Sequence, residues 1–364
     1  MHYKRLLTWI DGSSSYLSVG LDVGADFTWM SIALPNGAFI GKPFKIVHSD
    51  PRSRDLAVTK IKEAQETYSL KSRCFLESTG IYHIPLLCFL RDKGFDCSVI
   101  NPIITKNSTN INIRKLHNDK FDSKKAALVG LNVSLKTSII PEDSIVDLRN
   151  LVRDYYYFKD LQSAVALKLT AELKMSFPAY AKVFSKVTTQ SSLKLLSSYP
   201  LAGDMLEASK DDIVETIRST ARFGEAYALR KYDAVIAAAQ DASVFGRALP
   251  SNAVRIRLYI DTYQEYQKHL DALLKALHET VERLQDTLIY DQICLLQSLR
   301  GIGFLSAVVL IAEMGDFKLF PSPKKLYAYF GLDPAVKQSG KLNGDKVHMS
   351  KRGSSLARRV LHMV

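Results

Sequence analysis

Between residues 17 and 47 the apolar positions are β-branched or aromatic, and short polar turns interrupt them. SVGLDVGADFTWMSIAL predicts a strand, a Gly-containing turn and a second strand, and Pro35-Asn36-Gly37 predicts a hairpin turn before AFIGKPFKIV. Residues 52–69 predict a helix. CFLES, the helix IPLLCFLRDKG closed by Gly94, and DCSVINP then read as a βαβ unit, which argues for a mixed α/β sheet. From Lys106 to Lys125 Asn and Ser mix with basic residues, which is loop chemistry.

From about residue 143 the period changes. Leu148, Leu151, Val152, Tyr155, Phe158, Leu161, Val165 and Leu169 recur at three and four, as do Tyr266, Leu270, Leu273, Leu277, Val281, Leu284 and Leu288. Two such stripes predict an antiparallel coiled arm, serving either as ordinary helical core or as a dimerisation surface. Between them DAVIAAAQDA predicts a closely packed helix. The expected organisation is a flexible leader over 1–16, an α/β domain over 17–142, a helical region over 143–290 and a mostly α C-terminal domain over 291–364.

The 364 residues carry a net charge of +12, which suits a polyanionic partner. The excess clusters: residues 321–364 hold Lys324, Lys325, Lys337, Lys341, Lys346, Lys351, Arg352, Arg358 and Arg359 against Asp333 and Asp345, the pattern of a phosphate-binding footprint. Cys74, Cys88, Cys97 and Cys294 have no C-x-x-C spacing, so neither a zinc site nor a disulfide framework is indicated. No stretch is apolar and long enough for a signal peptide or a bilayer span, so the expected location is the cytoplasm.

Four carboxylates are the candidate chemistry. Asp22 and Glu77 end apolar strands, and Asp119 and Asp122 share a face of one helix turn in KLHNDKFDSKKAALVGL. Singly, each has a plainer reading as a turn residue, a cap or half of a salt bridge with Lys120, Lys124 or Lys125. Together, in this order, they are how an RNase H-like sheet would deliver ligands for magnesium, which takes hard oxygen donors. Downstream, Gly301 and Gly303 around Ile302 suit a helix-hairpin-helix turn whose N–H groups face a phosphate. Tyr155, Tyr156 and Tyr157 could stack on RNA bases. Ser339, flanked by Lys337, Gly340 and Lys341, is a candidate nucleophile, since a serine needs nearby cations to attack phosphorus. Its rivals are Ser350, beside the phosphate-clamping pair Lys351 and Arg352, and Ser354 or Ser355, which suit an N-cap for the last helix.

The chain resembles the DEDD transposases of insertion sequences, the family numbered one hundred and ten that includes the Piv invertase. The resemblance runs from LDVGADFTWMSIAL through LESTGIYHIPLLCFLRDKGFDCSVINP and HNDKFDSKKAAL to the block from LLQSLRGIGFLSAVVLIAEMGD to SKRGSSLARRVL. It implies a RuvC-like domain with Asp22, Glu77, Asp119 and Asp122 as metal ligands for two Mg2+ ions, and a C-terminal transposase domain supplying Ser339. It further implies strand exchange on double-stranded DNA directed by an element-encoded guide RNA, in a homodimer or tetramer with an active site shared between protomers. The chain ends at Val364 soon after SKRG, whereas relatives run on through a further helix or two. A water-using RNase H-like endonuclease or junction resolvase would need the carboxylates without Ser339, and a structural nucleic-acid-binding protein would need neither.

Overall fold

The computed structural model describes residues 15–77, 82–100, 119–132, 143–220, 224–315, 317–334, 338–339, 342–343 and 348–364. The chain divides into two compact units, residues 1–140 and 141–364.

In the first unit β1 (Tyr16–Val23), β2 (Phe27–Ala33), β3 (Phe39–Val47), β4 (Lys71–Glu77) and β5 (Asp96–Ile100) form one sheet in the order β3-β2-β1-β4-β5. β1 is antiparallel to β2 and parallel to β4, and β4 is parallel to β5. Strand alternation splits each strand between two faces. Leu17, Val19, Leu21 and Val23 of β1 face a core shared with Cys74 and Leu76 of β4, with α1 (Pro51–Tyr68) and with α2 (His83–Asp92). Asp50 caps α1 by accepting from Arg52 N at 3.0 Å. Gly94, at φ 86°, closes α2: its N–H bonds Arg91 O and Phe95 N–H bonds Leu90 O, the paired bonds of a left-handed helix stop.

The opposite face carries α3 (Asp119–Asn132), and a glycine decides how close it comes. A Cβ on Gly20, in mid-β1, would lie 2.1 Å from Ser123 O and 2.2 Å from Ala127 N, so the helix backbone rests directly on the strand. Hydrogen bonds fix the register of that contact. Ser18 Oγ donates to Ala127 O at 2.6 Å, Tyr16 Oη to Gly130 O at 2.8 Å, and the Ser31 and Ser123 hydroxyls pair at 2.8 Å.

In the second unit α4 (Asp143–Ser176) and α9 (Pro250–Glu282) lie antiparallel: Glu172 meets Asn252 and Arg255, Gln162 meets Gln267, and Leu148 and Val152 share a core with Leu277 and Val281. The predicted second stripe overruns the helix at its end. Asp286 takes φ 69°, Thr287 caps a new helix, α10 (Leu288–Gln297), and Leu288 is 61% exposed rather than packed. One core gathers round Phe177 and Tyr180 between the far ends of α4 and α9 and four short or medium helices, α5 (Gln190–Ser198), α6 (Ala202–Glu207), α7 (Lys210–Arg218) and α8 (Glu225–Phe245). The predicted Ala-rich helix is part of α8, with Val235, Ala238, Ala239 and Ala242 buried. The other core packs α10, α11 (Phe304–Met314), α12 (Pro323–Tyr329) and α13 (Ser355–Met363) against the start of α4. Among the described residues no helix is long and apolar enough to cross a membrane.

Candidate active site

In the first unit the sheet order and the Gly20 contact bring three chain segments to one edge. Gly20 pairs with Phe75 and Leu21 with Leu76 in the parallel register, so Glu77 ends β4 beside the end of β1 where Asp22 lies. Asp22 alternates onto the same face as Gly20, the face that α3 covers, and α3 begins there with Asp119 and Asp122 in its first turn. The electrostatics report the gathering. Burial, then the negative charges of Asp122, Asp119 and Glu77, push the Asp22 carboxyl up to about 7, against a smaller pull down from Lys125.

The carboxylates are neighbours without forming a closed cage. Among the described residues no three His, Cys, Asp or Glu side chains lie close enough to hold one metal ion. Asp122 instead accepts from Lys125 Nζ at 2.7 Å, three residues on along the same helix face. Lys120 sits 4.7 Å from the ring centre of Trp29, the residue that pairs with Asp22 across β1 and β2. Sequence reasoning singled out the four carboxylates but missed Gly20, Ser18, Ser31 and Ser123, which hold α3 in place. The available signal was a glycine in the middle of an apolar strand, which marks close backbone approach.

In the second unit the C-terminal block holds the remaining candidates. Gly301 takes φ 99°, a left-handed turn conformation that favours glycine, and Gly303 is the N-cap of α11 with no side-chain cap bond. The turn between α10 and α11 thus presents first-turn N–H groups that have no intrahelical partner, as a phosphate-facing hairpin requires. His278 stacks on Phe304 at 3.8 Å and 6°, bracing the start of α11 against α9.

Ser339 lies in β6 (Gln338–Ser339), which pairs antiparallel with β7 (Leu342–Asn343), Ser339 opposite Leu342. Lys337 and Lys341 fall outside the described residues. Of the rivals, Ser354 caps α13 by accepting from Ala357 N at 3.1 Å, and Ser350 donates to Asp333 Oδ1 at 2.5 Å. Lys351 and Arg352 are exposed beside it, with Lys351 at φ 52°. The three tyrosines of α4 diverge: Tyr157 is 60% exposed, whereas Tyr156 packs into the core under Arg359, whose guanidinium is 5.0 Å from its ring centre and bonds Asp160.

Comparison with known proteins places these parts. Residues 19–178 match the model of a DEDD transposase domain described as "Transposase", and residues 294–364 match the model described as "Transposase IS116/IS110/IS902 family". Two separate segments of the chain are therefore similar to transposase domains of that family. It is similar to the protein named "Putative transposase y4qE" of Sinorhizobium fredii, at 30% identity over 121 residues, 32% of this chain. The aligned part spans 31% of that relative's length.

Proposed function

We propose that the protein is an insertion-sequence transposase, a site-specific recombinase that cuts and rejoins double-stranded DNA through a phosphoserine on Ser339. The observation that carries the reading is the register that ends β1 and β4 side by side where α3 begins, bringing Asp22, Glu77, Asp119 and Asp122 to one sheet edge. Such an arrangement costs folding energy, and a nuclease active site gives it a use. The two family matches, in this order along the chain, supply the reaction class.

The donor set suits Mg2+ in its chemistry, four hard carboxylates on one edge, but to hold the ion they would have to draw closer than they stand and Asp122 would have to give up Lys125. Bound there by Asp22, Glu77, Asp119 and Asp122, magnesium would polarise a phosphate and neutralise developing charge. The Ser339 hydroxyl supplies the nucleophile: its oxygen forms a bond to phosphorus, one DNA ester bond breaks, and the departing oxygen takes up a proton. The phosphoserine keeps the ester energy, so attack by a second DNA end regenerates the serine without an external energy source. Lys337, Lys341, Lys351 and Arg352 would bind DNA phosphates, and the Gly301–Gly303 turn would take a further one.

Guidance by an element-encoded RNA, a homodimeric or tetrameric assembly and an active site shared between protomers complete the proposal; all three rest on family likeness, with the charge of +12 suiting a second polyanion. The test is incubation with labelled element-end DNA, the RNA transcribed from the element's flanking noncoding region and magnesium, read on a denaturing gel. A protein-linked DNA band that Ser339→Ala abolishes is the expected result. Cut DNA without the adduct would replace this reading with a water-using nuclease.

A further inference from the structure

We propose that Lys45 is a positioning residue that holds a DNA backbone phosphate flanking the one at the carboxylate edge, an inference that rests on the reading of that edge as the cutting site. Residues paired across neighbouring strands point to the same face of a sheet. Asp22 pairs with Trp29 and Trp29 with Lys45, so an acid, an indole and a lysine form one row across β1, β2 and β3, on the face that α3 covers at Gly20. Two strand spacings make that row about 10 Å long, roughly three nucleotide steps of a DNA strand.

The lysine end of the row is held in place. β3 is an edge strand and Lys45 is exposed, yet its ammonium stands 4.0 Å from the ring centre of Phe27, two residues from Trp29 on β2. That contact leans the charge toward the end of the sheet where β1 and β4 finish, and so toward the carboxylates. A ring face fixes an ammonium without neutralising it. A lysine placed to neutralise Asp22 would pair with it, as Lys125 pairs with Asp122 at 2.7 Å, whereas among the described residues no carboxylate pairs with Lys45. Lys120 over Trp29 at 4.7 Å and Lys124 over Phe39 at 4.9 Å repeat the lysine-on-ring arrangement beside α3. Cations fixed along a row that leads away from the acids fit the backbone of a strand whose scissile phosphate lies at Asp22. Holding a neighbouring phosphate fixes the scissile one for in-line attack.

Lys60 is the matched control. It stands over Phe44 at 5.3 Å, but Phe44 pairs with Met30 and packs against the core of α1 and α2 on the opposite face. Binding of the full chain to element-end DNA with the flanking RNA would be titrated against salt for Lys45→Gln, Lys45→Arg and Lys60→Gln, using DNA with single phosphates near the cut replaced by neutral methylphosphonates. Lys45→Gln is expected to lower the slope of log affinity against log salt by about 1 and to weaken binding about 3- to 10-fold. Lys45→Arg should restore most of both, Lys60→Gln should change neither, and the melting temperature should hold in all three. One methylphosphonate flanking the cut should weaken wild-type binding by a similar factor and leave Lys45→Gln unaffected. An equal salt slope for Lys45→Gln and Lys60→Gln, an undiminished methylphosphonate penalty in Lys45→Gln, or a loss confined to RNA binding would overturn the contact. Asp22→Asn separates the two readings. If it cuts as the wild type does, the carboxylate edge is not the cutting site and both fall; if it is inactive while Lys45→Gln behaves like Lys60→Gln, the phosphate contact alone falls.

Discussion

Arg153 on α4 grips Glu313 on α11 with both arms of its guanidinium, Nε to Oε1 at 2.7 Å and Nη2 to Oε2 at 3.0 Å. Glu313 is 2% exposed at its side chain and Arg153 is 58% exposed, so the carboxylate depends on this partner for its charge. Arg149 donates to Ala312 O at 2.8 Å one residue away, and Tyr329 donates to Glu313 O at 3.2 Å. Arg153→Ala strands a buried charge and is expected to cost about 2–4 kcal/mol, the lower half reflecting the exposure of the arginine. Urea unfolding would read it, with Glu313→Gln expected to be milder because no charge is left behind.

The same pair sets an acid limit. Burial pushes the Glu313 carboxyl up, but the Arg153 hydrogen bond and charge, the Ser354 hydroxyl and Arg149 outweigh it and hold the group below the ordinary value of 4.5. A depressed carboxyl contributes stability that is complete above that ordinary value and is lost as pH falls through the lower folded one. Arg153→Ala should therefore move acid unfolding of this unit to higher pH, as followed by circular dichroism.

Asp22 has the opposite sign. Its folded pKa of about 7 lies above the ordinary 3.8, so without a cation the charged form opposes folding increasingly as pH rises between those values. Asp22→Asn should raise the melting temperature of the metal-free protein at pH 8 by on the order of 1–2 kcal/mol equivalent, after solvent screening, with little gain at pH 4. The same variant should lose magnesium-dependent cleavage. A lower melting temperature at pH 8 would show that the carboxylates do not repel as described.

Gly20→Ala should be severe. The added carbon would meet backbone at 2.1 Å and 2.2 Å, which no side-chain rotation relieves, so either α3 lifts from β1 or the sheet distorts. The expected loss is more than about 3 kcal/mol, read by thermal unfolding, with Ser18→Ala costing about 1 kcal/mol for its single bond to Ala127 O.

Much of the first unit was legible in the chain because its signals are local. The Pro35-Asn36-Gly37 turn, the stop at Gly94 and the alternation of β1 are each decided by a few adjacent residues. The sheet order was reachable only through the order of the acidic groups, and the closeness of α3 only through one glycine. The end of the second stripe misled, because Leu284 and Leu288 keep the helical period across a break that Asp286 and Thr287 impose. Ser354 as a cap was readable from its place before LARRVL, whereas the bond from Ser350 to Asp333 joins residues 17 apart and leaves no periodic trace.

The turns at Gly331 and Gly353 occupy each other's missing side chains, so neither position tolerates change, while the chain between Pro334 and Met349 begins and ends at neighbouring points. Closing a somewhat longer loop over fixed ends costs only a fraction of a kcal/mol per few added residues. Insertions and deletions in that stretch are therefore separable from the stability of the helices beneath, and a segment from a related protein could be exchanged there as a cassette.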